Sequence, residues 1–90
     1  MSEIRRFIKF YGRVQGVGFR YRAYYAARSF GVKGWVRNCS DGSVEMEVQG
    51  LEESIDKMIL AIEKGTFVVI ENMECKSLPL KDDRDFIIRD

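Results

Sequence analysis

The chain has 90 residues, 46% hydrophobic and 12% aromatic, enough for one core, too few for two lobes around a large cofactor, and too apolar for disorder. Its 15 Lys+Arg against 14 Asp+Glu leave a net charge of +1, which lacks the basic excess of a general nucleic-acid binder and makes any anion site local. There is no histidine, so Ser-His-Asp and Cys-His nucleophiles and histidine acid–base catalysis are excluded together.

Ile4 to Tyr11 is rich in β-branched and aromatic residues and is predicted as a strand ended by Gly12. Gly12-Arg13-Val14-Gln15-Gly16-Val17-Gly18 then precedes a stretch in which Phe19, Ala23, Ala26, Ala27 and Phe30 recur at helical spacing. This reads as a glycine loop opening a helix, with Gly31 at its end. Gly34 to Cys39 and the alternating Val44-Glu45-Met46-Glu47-Val48 flank Ser40-Asp41-Gly42-Ser43 and predict a hairpin, with Val44, Met46 and Val48 on one face. Leu51, Ile55, Met58, Ile59 and Ile62 mark a second helix, with Glu53, Asp56, Lys57 and Glu63 opposite, up to Gly65. Phe67 to Ile70 and Met73 to Leu78 form another strand region, and Phe86-Ile87-Ile88 a short last strand. The order predicts an α+β, ferredoxin-like βαββαβ sandwich over a single domain, residues 1–90. Its sheet is expected to be antiparallel, with both helices on one face and a short extra C-terminal strand.

Cys39 and Cys75 form no Cys-x-x-Cys pair and no disulfide framework, which favours a reducing cytosol, and their residue type predicts buried, inert thiols. Six residues beyond them stand Glu45 and Lys81, so the arginine of a Cys-x5-Arg phosphatase is missing. Ligand count excludes a zinc or iron–sulfur site. No apolar run approaches the roughly 20 residues of a membrane span, and Met-Ser-Glu-Ile-Arg-Arg lacks the apolar stretch of a signal peptide. The expected location is cytoplasmic, away from membranes. Arg5, Arg6, Arg13, Arg22 and Arg28 are expected to be solvated, as is the turn Asp82-Asp83-Arg84-Asp85. Trp35, Tyr24 and Tyr25 read as core or sheet-covering aromatics.

Glycines, a helix start and an arginine coincide from Gly12 to Arg20. Unpaired N–H groups of a first helical turn, joined by those of a curled glycine loop, make an anion cradle over which the Arg20 fork can close. A tight turn beside a solvated Arg20 would give the same pattern. Tyr21 replaces the third glycine of a dinucleotide fingerprint, and no Gly-Lys-Ser/Thr exists for a P-loop.

The string Gly12-Arg13-Val14-Gln15-Gly16-Val17-Gly18-Phe19-Arg20, followed by Gly34-Trp35-Val36-Arg37-Asn38 and Asp41-Gly42-Ser43-Val44-Glu45, closely resembles the acylphosphatase family over nearly the whole chain. The resemblance implies the same sandwich fold and hydrolysis of acyl phosphates to carboxylate and inorganic phosphate, without cofactor or metal. It implies that the backbone of Gln15, Gly16, Val17, Gly18 and Phe19, with Arg20, holds the phosphate while Asn38 orients the attacking water. The chain departs from the family at Thr66, where proline is common after the glycine, and at Cys39, where threonine is common. The chemistry suits the composition: an acyl phosphate already leaves as a stable carboxylate, so no general acid is needed, and a loose phosphoryl-transfer transition state asks mainly for positioning and charge stabilisation.

Two other readings remain. The same fold serves non-catalytic binding modules, although an RNA-binding sheet would carry aromatics where Ser43 to Val48 is acidic. The motif also occurs in a module of a carbamoyl-transferring maturation enzyme, whereas a chain without a linker before Asp90 leads us to expect a free-standing monomer.

Overall fold

The computed structural model describes residues 2–89. In chain order these form β1 (Ile4–Arg13), α1 (Phe19–Phe30), β2 (Lys33–Asn38), β3 (Val44–Gly50), α2 (Glu52–Glu63), β4 (Val69–Leu78) and β5 (Phe86–Arg89). The sheet runs β4-β1-β3-β2-β5, the ferredoxin-like sandwich with its added strand. The predicted strand near Phe67 starts at Val69 and continues unbroken to Leu78.

Alternation decides what each strand buries. Ile8 and Phe10 of β1, Val36 of β2 and Val44, Met46 and Val48 of β3 point to the helices and are fully buried. Against them pack Phe19, Ala23 and Ala27 of α1 and Ile55, Met58 and Ile62 of α2. Each fully buried Val, Ile, Met or Phe side chain among them contributes about 1.5–3 kcal/mol. Phe30, expected on the same stripe, is 37% exposed because α1 ends there. Tyr25 likewise lies mostly in solvent, while Tyr24 packs against the core.

Strand direction places the ends of the sheet. β1 and β2 are both antiparallel to β3, so Arg13 and Asn38 end their strands at the same edge. β4, β1, β3 and β2 pair antiparallel as expected, and the extra C-terminal strand β5 pairs parallel to β2, which makes the sheet mixed. The cause is the crossing segment 79–85, which carries the chain from the β4 edge to the opposite one and delivers β5 running with β2.

That crossing corrects two expectations about charge. Arg5 is 2% exposed rather than solvated. It pairs with Glu47 at 2.7 Å and with Asp83 of the crossing segment at 2.8 Å, and it donates to Gln49 Oε1 at 3.1 Å. Gln49 in turn donates to the Lys81 carbonyl and accepts from the Lys81 N–H. The acidic turn is thus a strap whose Asp83 satisfies a buried guanidinium, which burial would otherwise penalise. The cysteines also differ from expectation: Cys39 is half-buried and Cys75 exposed. α1 packs on β2 and β5, and α2 on β3, so neither covers the edge strand that carries Cys75.

Candidate active site

Between β1 and α1 the chain turns through residues 14–18. Gly16 and Gly18 adopt φ of +71° and +81°, and a Cβ built on either meets nothing within 4 Å. Glycine is therefore needed for the backbone conformation itself, and the space beside it stays open. Gly16 and Gly18 at positive φ flank Val17 at negative φ, the kind of alternation by which a backbone nest turns successive N–H groups toward one hollow. Phe19 anchors the helix that begins there: it is 1% exposed and its ring lies 4.9 Å, centroid to centroid, from that of Phe10. The start of α1 is pinned to β1 by this contact.

The N-terminus of α1 is electrostatically bare. Among the described residues no side chain caps it, and its first turn holds no acidic residue, whereas the first turn of α2 holds Glu52 and Glu53. The Arg22 N–H bonds to the Gly18 carbonyl at 3.0 Å. The N–H groups of Phe19, Arg20 and Tyr21 precede that bond and carry the positive end of the helix dipole.

A second element brings up Asn38. The Gln15 side chain donates from Nε2 to the carbonyls of Cys39 at 2.7 Å and Ser43 at 2.8 Å. This ties the glycine loop to the β2–β3 turn and sets Asn38 against it. Within the turn, Asp41 accepts from the hydroxyl and the N–H of Ser43 and lies 3.3 Å from Lys9 Nζ. The Ser43 hydroxyl above all, then its N–H, lowers the Asp41 carboxyl to about 2.

Val14, Gly16, Gly18, Phe19, Arg20, Tyr21 and Asn38 line a cavity of about 190 Å³. The structure thus brings together Gly16, Gly18, Phe19, Arg20 and Asn38. Gln15 and Val17 flank the cavity: one side chain is spent on the hairpin and the other packs toward the core. Tyr21, 63% exposed at the cavity wall, was not expected from its sequence; its place beside Arg20 in the first helical turn is the signal that could have found it. Two features fit an anionic ligand with an attacking water. Arg20 has no carboxylate partner among the described residues, whereas Lys9 and Arg37 in the larger neighbouring hollow face Asp41 and Glu45. Asn38 Oδ1 is buried without a hydrogen-bond partner among the described residues, an acceptor that a water can satisfy.

The family model described as Acylphosphatase matches residues 6–88. An acylphosphatase of Clostridium acetobutylicum is 44% identical over 79 residues, 87% of each chain. The crystal structure of acylphosphatase from Bacillus subtilis superposes with a TM-score of 0.88 at 32% identity, covering 96% of this chain and 98% of that one. HypF of T. kodakarensis matches with a TM-score of 0.82 at 33% identity, covering 97% of this chain but 12% of that much longer one.

Proposed function

The chain belongs to the acylphosphatase family, and from that premise we propose how it hydrolyses acyl phosphates to carboxylate and inorganic phosphate. The phosphate sits on the N–H groups from Gln15 to Phe19 at the bare start of α1, with the planar fork of Arg20 bonding two of its oxygens. A water donates one hydrogen to Asn38 Oδ1 and attacks phosphorus. As the new P–O bond forms, the bond to the acyl oxygen breaks and the carboxylate leaves with its electron pair. An amide is no base at neutral pH, so Asn38 aligns the water, and a phosphate oxygen takes the proton. Charge gathering on the equatorial oxygens meets donors already oriented, which is where the rate enhancement comes from.

One observation carries this reading: a helix start, an arginine and a buried acceptor, all without side-chain partners among the described residues, converge on one cavity. Its lining holds no carboxylate, thiol or imidazole among the described residues, so these side chains offer a divalent cation no charged ligand and the reading needs none. The machinery belongs to one chain, so catalysis requires no second copy. The reading includes no nucleic acid, since the open face of β3 presents Glu45 and Glu47, and no membrane; among the described residues no helix is long and apolar enough to cross one. The two free thiols suit a reducing cytosol.

Titration with inorganic phosphate, followed by amide resonances, tests the site. Shifts should concentrate on Gln15 to Arg20 and the Asn38 side-chain amide, and phosphate should inhibit competitively. Shifts that avoid the loop would move the site elsewhere.

A further inference from the structure

The side chain of Gln15 has no part in the chemistry proposed above, yet it spans the two elements that must meet for that chemistry to occur. Its Nε2 donates to the carbonyl of Cys39 at 2.7 Å and to that of Ser43 at 2.8 Å. These carbonyls form the base of the β2–β3 turn, where the Cys39 N–H bonds to the Ser43 carbonyl at 2.9 Å and the Gly42 N–H to the Cys39 carbonyl at 3.2 Å. Asn38 and Val44 flank them in sequence and oppose each other as the last pair of the ladder. We propose that Gln15 is a positioning residue whose side-chain amide fixes Asn38 over the anion loop, a role that rests on the reading of Asn38 as the group aligning the attacking water.

Asn38 cannot fix its own position. Its Oδ1 has no hydrogen-bond partner among the described residues, so the place of that oxygen follows from where the end of β2 is held. The ladder to β3 holds it within the hairpin, but the hairpin must also be registered against the loop. Among the described residues the two Gln15 bonds are the hydrogen bonds that join residues 14–18 to residues 38–43. A carboxamide suits this task because its nitrogen carries two hydrogens, one for each carbonyl. Gln15 thus gives the turn its side chain while its backbone N–H belongs to the set proposed to hold phosphate. Replacing the side chain keeps that N–H, so loss of the clasp should spare anion binding and misplace the water, and a shift of about 1 Å at a reacting group can cost on the order of 100-fold in rate.

Gln15→Met keeps the length of the side chain and removes both donors. With folding checked by circular dichroism, it should lower kcat on acetyl phosphate roughly tenfold while inhibition by inorganic phosphate stays within about twofold of the parent. In an Asn38→Ala background the same substitution should change kcat by less than about twofold, since a group already removed cannot be misplaced. Gln15→Asn, one methylene shorter, fails to reach both carbonyls and should show the same pattern, which keeps the test available if the methionine variant does not fold. Normal kcat in the folded variants, a loss of phosphate affinity as large as the loss of kcat, or losses that add in full with Asn38→Ala would each overturn the proposal. Full additivity beside a lowered kcat in Asn38→Ala alone leaves the reading of the site standing, whereas normal kcat in Asn38→Ala removes that reading and the role of Gln15 with it.

Discussion

In the proposed mechanism Asn38 separates binding from chemistry, because its oxygen, unpartnered among the described residues, is assigned to the attacking water and the phosphate to the loop. Asn38→Ala should lower kcat by roughly 100-fold while inorganic phosphate affinity stays within about threefold, the signature of an interaction made mainly in the transition state. Asn38→Asp should not rescue activity, since a carboxylate repels the incoming anion. Normal kcat in a folded Asn38→Ala would remove the role. Arg20 carries the complementary claim. Arg20→Lys should lose about 100-fold in kcat/KM, close to Arg20→Ala, because a point ammonium cannot reproduce the two-oxygen fork; steady-state kinetics showing near-normal turnover with lysine would reduce Arg20 to a field charge. Both positions were legible in the sequence through the glycine–arginine and tryptophan–asparagine segments. The Gln15 side chain was not, because a polar residue in a glycine loop has no periodicity to reveal a partner 24 and 28 residues away. Arg5 was misread for a related reason: charge predicts solvation unless the crossing that buries it is known.

The β2–β3 turn is the element on which Asn38 depends, and its order should be sensitive to acid. The Asp41 carboxyl ordinarily titrates near 3.8 and is held at about 2 in the folded chain, first by the Ser43 hydroxyl and then by the Ser43 N–H. A depressed carboxyl contributes stability that is fully present above its unfolded value and is lost as the pH falls through the folded one. The turn should therefore hold from neutral pH to about pH 4 and loosen from there toward pH 2. Ser43 amide exchange followed across that range should report this loosening, and Asp41→Asn should flatten it; an unchanged profile in the variant would assign the acid response to other carboxylates. The elements themselves read well from the sequence, the helices and β3 from an apolar period and the other strands from β-branched and aromatic runs. What periodicity could not supply was the exposure of β4. Its alternation resembles that of an inner strand, and only its place at the margin leaves Met73 and Cys75 uncovered.

At the scale of the whole molecule, the two ends of the sheet have different tasks. Arg13 and Asn38 deliver the proposed anion site to one end, while the strap from Pro79 to Asp85 closes the other through Arg5, Gln49 and Gly34, whose N–H bonds to the Asp85 carbonyl at 3.0 Å. Arg5 and Asp83 stand most of the chain apart in sequence, so their contact closes a very long loop and should form after the other strands have assembled. Asp83→Asn leaves the guanidinium short of one charged partner. It should speed unfolding about tenfold in stopped-flow denaturant jumps while leaving the refolding limb unchanged, because an interaction absent from the transition state acts on unfolding alone. Equal slowing of refolding would place the strap in the nucleus. Expected turnover at the far end is that of the parent. The lifetime of a folded molecule is then set by a charge contact at the end of the sheet where no substrate binds, so catalytic sequence and persistence can vary independently.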